Sequence, residues 1–356
     1  MRNQLSYLSR TAIVLFFASM SAIASDRHHH GNTLVLTSTN DPSANQVVVF
    51  RLNSGGTPSL TLVNTLPTGG KGGAGGNAGA VQFRDSLGAV VNYGSNTFSR
   101  LVRDDGSVHI AGTIPLAANC VQPVSVFVND RHAFVVGSNC AESHSWPSGY
   151  LDGNTVSVPD NSAAQIVTGE SWSAVTLKSG SVLALGLTAR GALNGSSATV
   201  TLPADANNTP LGAAFWGDIL GFTPAHSPDS FALVNKAGDV FPVPGPQPAY
   251  PTNAPCWLAK GAGNIWYAGN SPGQAISVFF SDGQGGTFYK SVPVGGVPTD
   301  VSISADGNWL AAIFTASDGS GGRISVFSID ANGDLSLAAT SDPVGVASFN
   351  GVAFSQ

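Results

Sequence analysis

Titratable side chains that could carry acid–base chemistry gather in one part of the sequence. Glu142, His144 and Asp152 occur in a short segment, and Glu170 follows soon after it. An imidazole suits the role of general base because its ordinary pKa lies near 6.5, and a neighbouring carboxylate can orient or replace it. We therefore predict a catalytic group of His144, Glu142 and Glu170, accompanied by Asp152. The alternative is that His144 and Glu142 are solvated loop residues.

Further residues could hold a ligand beside this group. Arg190 or Lys71 could clamp a carboxylate through charge-assisted hydrogen bonds. Aromatic rings could lie against a sugar or an aromatic ligand, although packing between sheets explains each ring equally well. We predict the following substrate-binding residues: Lys71, Asn77, Trp146, Tyr150, Trp172, Arg190 and His226.

Short apolar strands recur along the chain, each opening a cluster of strands punctuated by Gly, Asp and Asn. From Val81 to Val352 there are 271 residues over six intervals, or about 45 residues each, which is the period of a propeller blade. The seven predicted inner strands are residues 80–83, 124–127, 174–177, 213–215, 257–259, 301–304 and 352–355.

The first and last repeats are incomplete in complementary ways. The first has outer strands at residues 33–37, 46–52 and 60–64 but no inner strand, whereas the last inner strand, at 352–355, has no outer strands after it. A C-terminal strand that completes the first blade closes the ring and leaves no open sheet edge. We therefore predict an all-β fold, a seven-bladed β-propeller with four-stranded antiparallel blades, over residues 33–356.

The propeller topology sorts loops by face. Loops between blades, and loops joining second to third strands, open on one side, where propellers commonly bind ligands. We predict that this side holds residues 68–77, 169–172 and 188–195, together with a long insertion at 137–154. This arrangement would bring the candidate catalytic and binding residues to one rim.

Composition narrows the classes of partner. Charged residues make up 10% of the chain and the formal net charge is −6, so the surface does not suit a polyanion and we exclude nucleic acid. The 43 glycines and 21 prolines fit an all-β protein with many turns. We predict a monomer, because a closed ring exposes little unpaired strand edge, and we assign no cofactor.

The N-terminus is typical of an export signal. Arg2 and Arg10 flank a short apolar run at residues 11–18, and small residues at 22–24 form a cleavage site. We predict a signal peptide at 1–24, a polar tail with a histidine run at 25–32, and an extracellular or periplasmic protein. The histidine run could bind copper, nickel or zinc, but we assign no metal. No later stretch predicts a transmembrane segment.

Three cysteines fit an oxidising compartment with one disulfide and one spare thiol. In a propeller, the start of an inner strand and the end of the second strand meet on the same face. Cys120 precedes the third inner strand and Cys140 follows the second strand of that blade, so we predict a Cys120–Cys140 disulfide. Cys256 is expected to be a buried small residue.

A glycine-rich stretch at residues 70–75 matches the dinucleotide pattern G-x-G-x-x-G. That pattern needs a following helix whose N-terminus can face a phosphate. Here a strand follows, so a loop between blades is the better interpretation.

Several short motifs point to a known family. They are Thr-Asn-Asp-Pro at 39–42 before the strand 47–51, then residues 67–72, 91–97, 254–257 and 304–307. The sequences of these motifs resemble those of the lactonase-like seven-bladed propellers, the group that includes 6-phosphogluconolactonase and carboxymuconate cyclase-like proteins. The resemblance implies metal-independent hydrolysis or formation of a small carboxylate-bearing lactone. The scarcity of acids and bases leaves open a non-catalytic propeller that binds a carbohydrate, a protein or a cell surface.

Overall fold

Seven four-stranded antiparallel sheets make up the described part of the computed structural model, which covers residues 33–227, 229–248, 252–316, 318–345 and 349–356. The first strands of successive sheets contact one another around a ring, so each sheet is one blade of a β-propeller. This confirms the predicted fold class. The predicted signal peptide and histidine tail lie outside the described residues.

The strands follow one another blade by blade. Blade 1 contains β1 (Thr33–Ser38), β2 (Gln46–Asn53) and β3 (Ser59–Pro67). Blade 2 contains β4 (Val81–Arg84), β5 (Leu87–Asn92), β6 (Thr97–Asp104) and β7 (Ser107–Pro115). Blade 3 contains β8 (Ser125–Val128), β9 (His132–Val136), β10 (Cys140–Ser145) and β11 (Val156–Ser157). Blade 4 contains β12 (Ala163–Thr168), β13 (Trp172–Leu177), β14 (Ser181–Leu187) and β15 (Leu193–Thr201).

The second half of the chain repeats the arrangement. Blade 5 contains β16 (Pro210–Trp216), β17 (Ile219–Pro224), β18 (Asp229–Val234) and β19 (Val240–Pro244). Blade 6 contains β20 (Pro255–Lys260), β21 (Ile265–Asn270), β22 (Ala275–Ser281) and β23 (Gly286–Pro293). Blade 7 contains β24 (Gly296–Ile303), β25 (Trp309–Ala316), β26 (Gly322–Ile329) and β27 (Leu335–Thr340), and β28 (Asn350–Ser355) ends the chain. Two 3₁₀ turns occupy Tyr93–Ser95 and Pro159–Asn161.

Blade 1 is closed by the C-terminal strand, as the incomplete repeats predict. β28 pairs antiparallel with β1, which places Leu34 opposite Ser355. The Thr37 hydroxyl donates a hydrogen bond of 2.7 Å to the Gly351 carbonyl. The ring therefore closes through backbone pairing between the two ends of the described chain.

Inner and second strands are apolar on both faces because each blade packs between two others. β9 is buried along its whole length, and β1 is buried except for its first residue. Outer strands such as β3 and β15 are mostly exposed. This gradient explains why near-continuous Val, Leu and Ala runs predict inner strands here, instead of strict alternation. No helix of the described chain has the length and apolar character that crossing a membrane requires.

The meander gives the ring two distinct faces. We call one the turn face: it carries the turns from first to second strands and from third to fourth strands, which are residues 129–131 and 146–155 in blade 3. We call the other the linker face: it carries the connections between blades and the loops from second to third strands, which are residues 116–124 and 137–139 around blade 3. A residue's place in the meander therefore decides which face it can serve.

The prediction for blade 4 is wrong by one strand. The inner strand is β12, and the predicted inner strand at 174–177 lies within the second strand, β13. The reason is that blade 3 ends in a two-residue outer strand, β11, so its repeat is shorter than the average period. Glu170 and Arg190 consequently lie on the turn face, not on the predicted rim.

The predicted insertion at residues 137–154 is also corrected. Its centre is β10, the third strand of blade 3, which pairs with β9 from Ala141 opposite Val136 to Ser145 opposite His132. Loop structure is confined to the three residues before β10 and to the connection between β10 and β11. Glu142 and His144 are therefore strand residues.

A glycine-rich stretch, residues 75–80, which we call the axial segment, lies across the linker face. Gly79 N–H donates to the Asp300 carboxylate of blade 7 at 3.0 Å, and Asn77 Nδ2 donates to the Val124 carbonyl at the start of blade 3. Ala78 belongs to a buried cluster with residues of blades 4 to 7. The segment therefore bridges blades 3 and 7 across the linker face.

Candidate functional site: a cleft on the turn face

Glu142 and His144 form a buried pair on β10. His144 Nε2 lies 2.7 Å from Glu142 Oε1, and the two side chains are 2% and 1% exposed. His144 Nδ1 donates to the Gly149 carbonyl at 2.9 Å, and Glu142 Oε2 accepts a hydrogen bond from Ala117 N–H at 3.0 Å. The ring of His144 packs edge-on against Phe98 of blade 2. Both ring nitrogens of His144 are thus engaged within the protein.

The Cys120–Cys140 disulfide lies beside this pair and confirms the predicted bridge, with the Cα atoms 5.5 Å apart. A Glu142 carboxylate oxygen and the two sulfur atoms lie within 4.8 Å of one another. Because the sulfurs are joined to each other, neither is a thiolate that could bind a metal. Cys256 is a buried thiol, as expected, and burial raises its pKa.

Glu170 lies in a different place, at the edge of a cleft of about 950 Å³ between blades 2, 3 and 4 on the turn face. Glu170 is exposed on the turn that joins β12 to β13. Arg190, on the turn that joins β14 to β15, lines the same cleft. The structure therefore brings Glu170 and Arg190 together, whereas Glu142 and His144 do not line this cleft.

The cleft carries positive charge from three blades. Arg84 lines it from the end of β4 in blade 2, Arg131 from a turn of blade 3 and Arg190 from a turn of blade 4. Arg84 is paired with Asp130, but both groups are exposed, so this pair adds little to stability. The mixture of three guanidinium groups with the exposed carboxylates of Asp130 and Glu170 can hold a small anionic ligand and still offer it a base.

His132 lines this cleft and pairs with Asp152, although no sequence pattern predicted a role for His132. His132 Nε2 lies 3.0 Å from Asp152 Oδ2, and the Ser145 hydroxyl donates to the same oxygen at 3.2 Å. The hydrogen bond from His132 holds the pKa of Asp152 below its ordinary value, and Ser145 and the charge of Arg190 act in the same direction. Asp152 is therefore ionised at neutral pH.

Strand alternation explains why the two histidines of blade 3 separate. His144 pairs with Ala133 across the β9–β10 ladder, and directly opposed residues project to the same face of a sheet. His132 is the neighbour of Ala133, so it projects to the opposite face. His144 consequently faces blade 2, and His132 faces the cleft beside blade 4. This period-two pattern, applied to β9 and β10, is the signal that could have found His132.

The remaining predicted binding residues are spread over both faces. Lys71 is exposed on the linker face, where its backbone is bonded to Ser95 and Gly94. Asn77 is buried in the axial segment. His226 lines a smaller linker-face cavity of about 280 Å³ between blades 4 and 5. These three residues therefore do not meet Arg190.

The predicted aromatic residues also differ from one another in environment. Trp146 is buried and stacks on Phe98. Trp172 is buried, donates from Nε1 to the Asp218 carbonyl and packs edge-on against Phe215. Tyr150 is 77% exposed. Packing between blades, the alternative that the sequence left open, accounts for the two tryptophans.

Comparison with known proteins places the fold in a broad structural class. No protein-family model matches the sequence, and no curated protein matches it. A crystal structure of a protein from Lactobacillus plantarum superposes with a TM-score of 0.70 at 15% identity, covering 91% of this chain and 99% of the other. A candidate 6-phosphogluconolactonase from Bacteroides uniformis superposes with a TM-score of 0.69 at 16% identity, covering 91% and 99%.

A lyase shares the architecture less closely. Virginiamycin B lyase from Staphylococcus aureus superposes with a TM-score of 0.57 at 17% identity, covering 78% of this chain and 92% of the other. At these identities the likeness shows the fold alone. The chain is thus a seven-bladed propeller with the fold of the lactonase-like propellers, and its chemistry must be argued from its own residues.

Proposed function

We propose that this protein is a lactonase-like propeller that hydrolyses or forms a small carboxylate-bearing lactone, without a metal, in the turn-face cleft. The observation that carries the proposal is that Glu170 and Arg190 line one cleft. The sequence contains two glutamates, and the other, Glu142, is 1% exposed. Glu170 is therefore the glutamate that can reach a dissolved ligand.

Each group has a chemical task in this proposal. Arg190 holds the carboxylate of the lactone through a charge-assisted hydrogen bond, and Arg131 adds positive charge at the cleft wall. Glu170 removes a proton from the attacking water, and in the reverse direction it returns a proton to the departing water. Glu142 and His144 stay predicted catalytic residues, but their burial and mutual hydrogen bond favour a supporting role. His144 holds the connection after β10 through Gly149, and Asp152 lies on that connection.

A proton-release assay against a panel of small lactones tests the proposal. We expect Glu170→Gln to lower kcat by about 100-fold or more, the contribution typical of a general base. Arg190→Gln should instead raise KM, because it removes ground-state binding of the carboxylate. His109→Gln, on an exposed position of β7, is the matched control and should behave as the unmodified protein.

The double variant Glu142→Gln/His144→Ala separates the two candidate sites. If the folded double variant loses turnover while Glu170→Gln retains it, the chemistry belongs to the buried pair and the cleft assignment is wrong. If Glu170→Gln loses turnover and the double variant keeps it, the catalytic prediction for Glu142 and His144 is wrong. Circular dichroism of each variant shows that a loss is not unfolding.

A non-catalytic binding propeller is the second candidate function. It is favoured by the internal pairing of Glu142 with His144, which leaves the predicted base without an open nitrogen. In this case a carbohydrate, a protein or a cell surface would be the ligand. No turnover across the lactone panel, together with glycan-array binding that Arg190→Gln weakens, would favour this function over the first.

We also propose that the protein is exported and monomeric. The export proposal rests on the residue pattern at 1–24 and is supported by the Cys120–Cys140 disulfide, since disulfides persist in oxidising compartments. N-terminal sequencing of the mature protein tests it, with Ser25 as the expected first residue. Light scattering after size-exclusion chromatography tests the monomer, with a mass near that of one mature chain as the expected result.

A further inference from the structure

His132 is the first residue of β9 and lies at the wall of the turn-face cleft. The residue is 4% exposed, so solvent does not account for its hydrogen bonding. Its Nε2 meets Asp152 at 3.0 Å, and Asp152 is fixed in turn by Ser145. This is the carboxylate–imidazole arrangement that sets both the orientation and the tautomer of a histidine ring.

The partners determine which ring nitrogen carries the proton. An ionised carboxylate only accepts hydrogen bonds, so Nε2 is the N–H of the neutral ring and Nδ1 holds a lone pair. Nδ1 is buried and has no hydrogen-bond partner among the described residues. A buried polar atom without a partner is unfavourable and uncommon in folded proteins. A lone pair without a partner, beside a cleft, is suited to accept a hydrogen bond from a ligand hydroxyl.

A short turn covers this nitrogen. Gly191 lies over the ring, such that a Cβ at that position would be 3.6 Å from His132 Nδ1. The turn is closed by a hydrogen bond from Gly191 N–H to the Thr188 carbonyl, and it carries Arg190. Ligand access to Nδ1 requires this turn to move, and Arg190 would then lie close to the nitrogen because it neighbours Gly191 in the turn.

We infer that His132, held by Asp152, is the acid–base group of the cleft, and that the ligand class is a small hydroxy acid or its lactone. This rests on the proposed function for the cleft, to which it adds the hydroxyl-recognising group. The ligand carboxylate binds Arg190, and its hydroxyl donates to His132 Nδ1. The charged groups around His132 are its partner Asp152 and the cleft-lining residues Arg84, Asp130, Arg131, Glu170 and Arg190.

The reaction balances in both directions. In hydrolysis, Glu170 takes a proton from water as the water oxygen bonds to the lactone carbonyl carbon. The ring C–O bond then breaks, and the departing alkoxide takes a proton from the protonated Nδ1 of His132. In lactone formation from the carboxylic acid, the hydroxyl gives its proton to Nδ1 while its oxygen bonds to the carboxyl carbon. The departing hydroxide takes the proton held by Glu170 and leaves as water.

A binding experiment tests the inference without requiring turnover. The probes are 4-hydroxybutyrate and butyrate, which share a carboxylate but differ by the hydroxyl. We expect 4-hydroxybutyrate to shift the imidazole ¹⁵N resonance of His132 Nδ1 and butyrate to leave it unchanged. The His132→Gln variant assigns the resonance. Equal shifts with both probes, or no shift with either, would overturn the inference.

Kinetic measurements distinguish failure of the inference about His132 from failure of the proposed function. If lactones are turned over, His132→Gln should lower kcat by at least 100-fold with KM within about threefold. Asp152→Asn should lower kcat less, because the ring remains and loses only the partner that orients it. A folded His132→Gln protein with normal kcat overturns the role of His132 and leaves the cleft proposal intact. If the unmodified protein turns over no lactone, the proposed function fails, and the ¹⁵N shift alone decides the hydroxyl recognition.

Discussion

Asp300 is a carboxylate inside the ring of inner strands, and it is fully surrounded by protein. Its oxygens accept hydrogen bonds from backbone N–H groups of Gly79, Val301 and Val352, which belong to blades 2, 7 and 1. Burial raises the pKa of Asp300 to about 7, and the three hydrogen bonds only partly oppose this rise. One titratable group therefore joins the axial segment to the strand that closes the ring.

This environment predicts an unusual dependence of stability on pH. Because the pKa is higher in the folded protein than in the unfolded chain, the contribution of Asp300 is complete below about pH 4 and is lost as the pH rises through 7. We expect the free energy of unfolding to fall between pH 5 and 8 in the unmodified protein. Asp300→Asn should flatten this fall, whose size is on the order of a few kcal/mol.

Urea unfolding at pH 5 and pH 8 measures the effect. The comparison uses the change with pH within each protein, because Asp300→Asn also lowers stability at every pH by turning an amide NH₂ toward backbone donors. Parallel pH profiles for the two proteins would show that Asp300 does not titrate in this range.

Among the elements, the axial segment shows what a glycine-rich stretch does in this fold. Gly79 has a φ of +67°, and a Cβ there would lie 3.0 Å from Ser125 Oγ and 3.2 Å from Gln165 Nε2. Gly75, in the same segment, has open space around the position of a Cβ. Gly79 thus permits a close approach of the segment to neighbouring side chains, whereas no packing contact requires a glycine at Gly75.

We expect Gly79→Ala to lower the free energy of unfolding by about 2 kcal/mol or more, because alanine is disfavoured at positive φ and its Cβ would crowd blades 3 and 4. Gly75→Ala is the matched control and should change it by less than about 0.5 kcal/mol. Chemical denaturation of the two variants measures both values. Similar losses in the two variants would mean that the segment is sensitive throughout and that the packing at Gly79 is not special.

The order and lengths of the strands also determined how much of the fold could be predicted from the sequence. The repeat spacing and the incomplete ends predicted the blades and the closing strand, and the meander predicted the Cys120–Cys140 bridge, because each depends on chain order alone. Because β11 is short, the predicted inner strand of blade 4 was one strand too late. Glu170 and Arg190 therefore lie on the turn face and not on the predicted rim. The site was predicted least well. Glu142 and His144 are buried because they pack against blade 2, and a local sequence pattern does not show which blade a strand packs against.

At the scale of the whole molecule, closure depends on one strand. β28 is buried along its length and pairs with β1 on one side. Without it, blade 1 would lose its inner strand, and β1 would expose an unpaired edge. Neighbouring blades 2 and 7 would lose apolar contacts as well, because β28 packs against β4 and β24.

Deleting residues 350–356 should therefore abolish the cooperative thermal transition and cause association of the chains, as measured by circular dichroism and size-exclusion chromatography. Removing Gln356 alone is the control. Its side chain accepts one hydrogen bond from Asp306 N–H, so this change should leave the transition nearly unaltered. A truncated chain that melts cooperatively as a monomer would show that six complete blades suffice.

The closing strand β28 is synthesised long after its partner β1. The Thr37–Gly351 hydrogen bond joins residues 314 positions apart. A ribosome that adds 5 to 20 residues per second needs about 16 to 63 s to make the second partner after the first. Throughout that interval β1, the first described strand, has one unpaired edge. Among the described strands, the one made first is thus completed last, which gives chaperones a defined period in which to protect it.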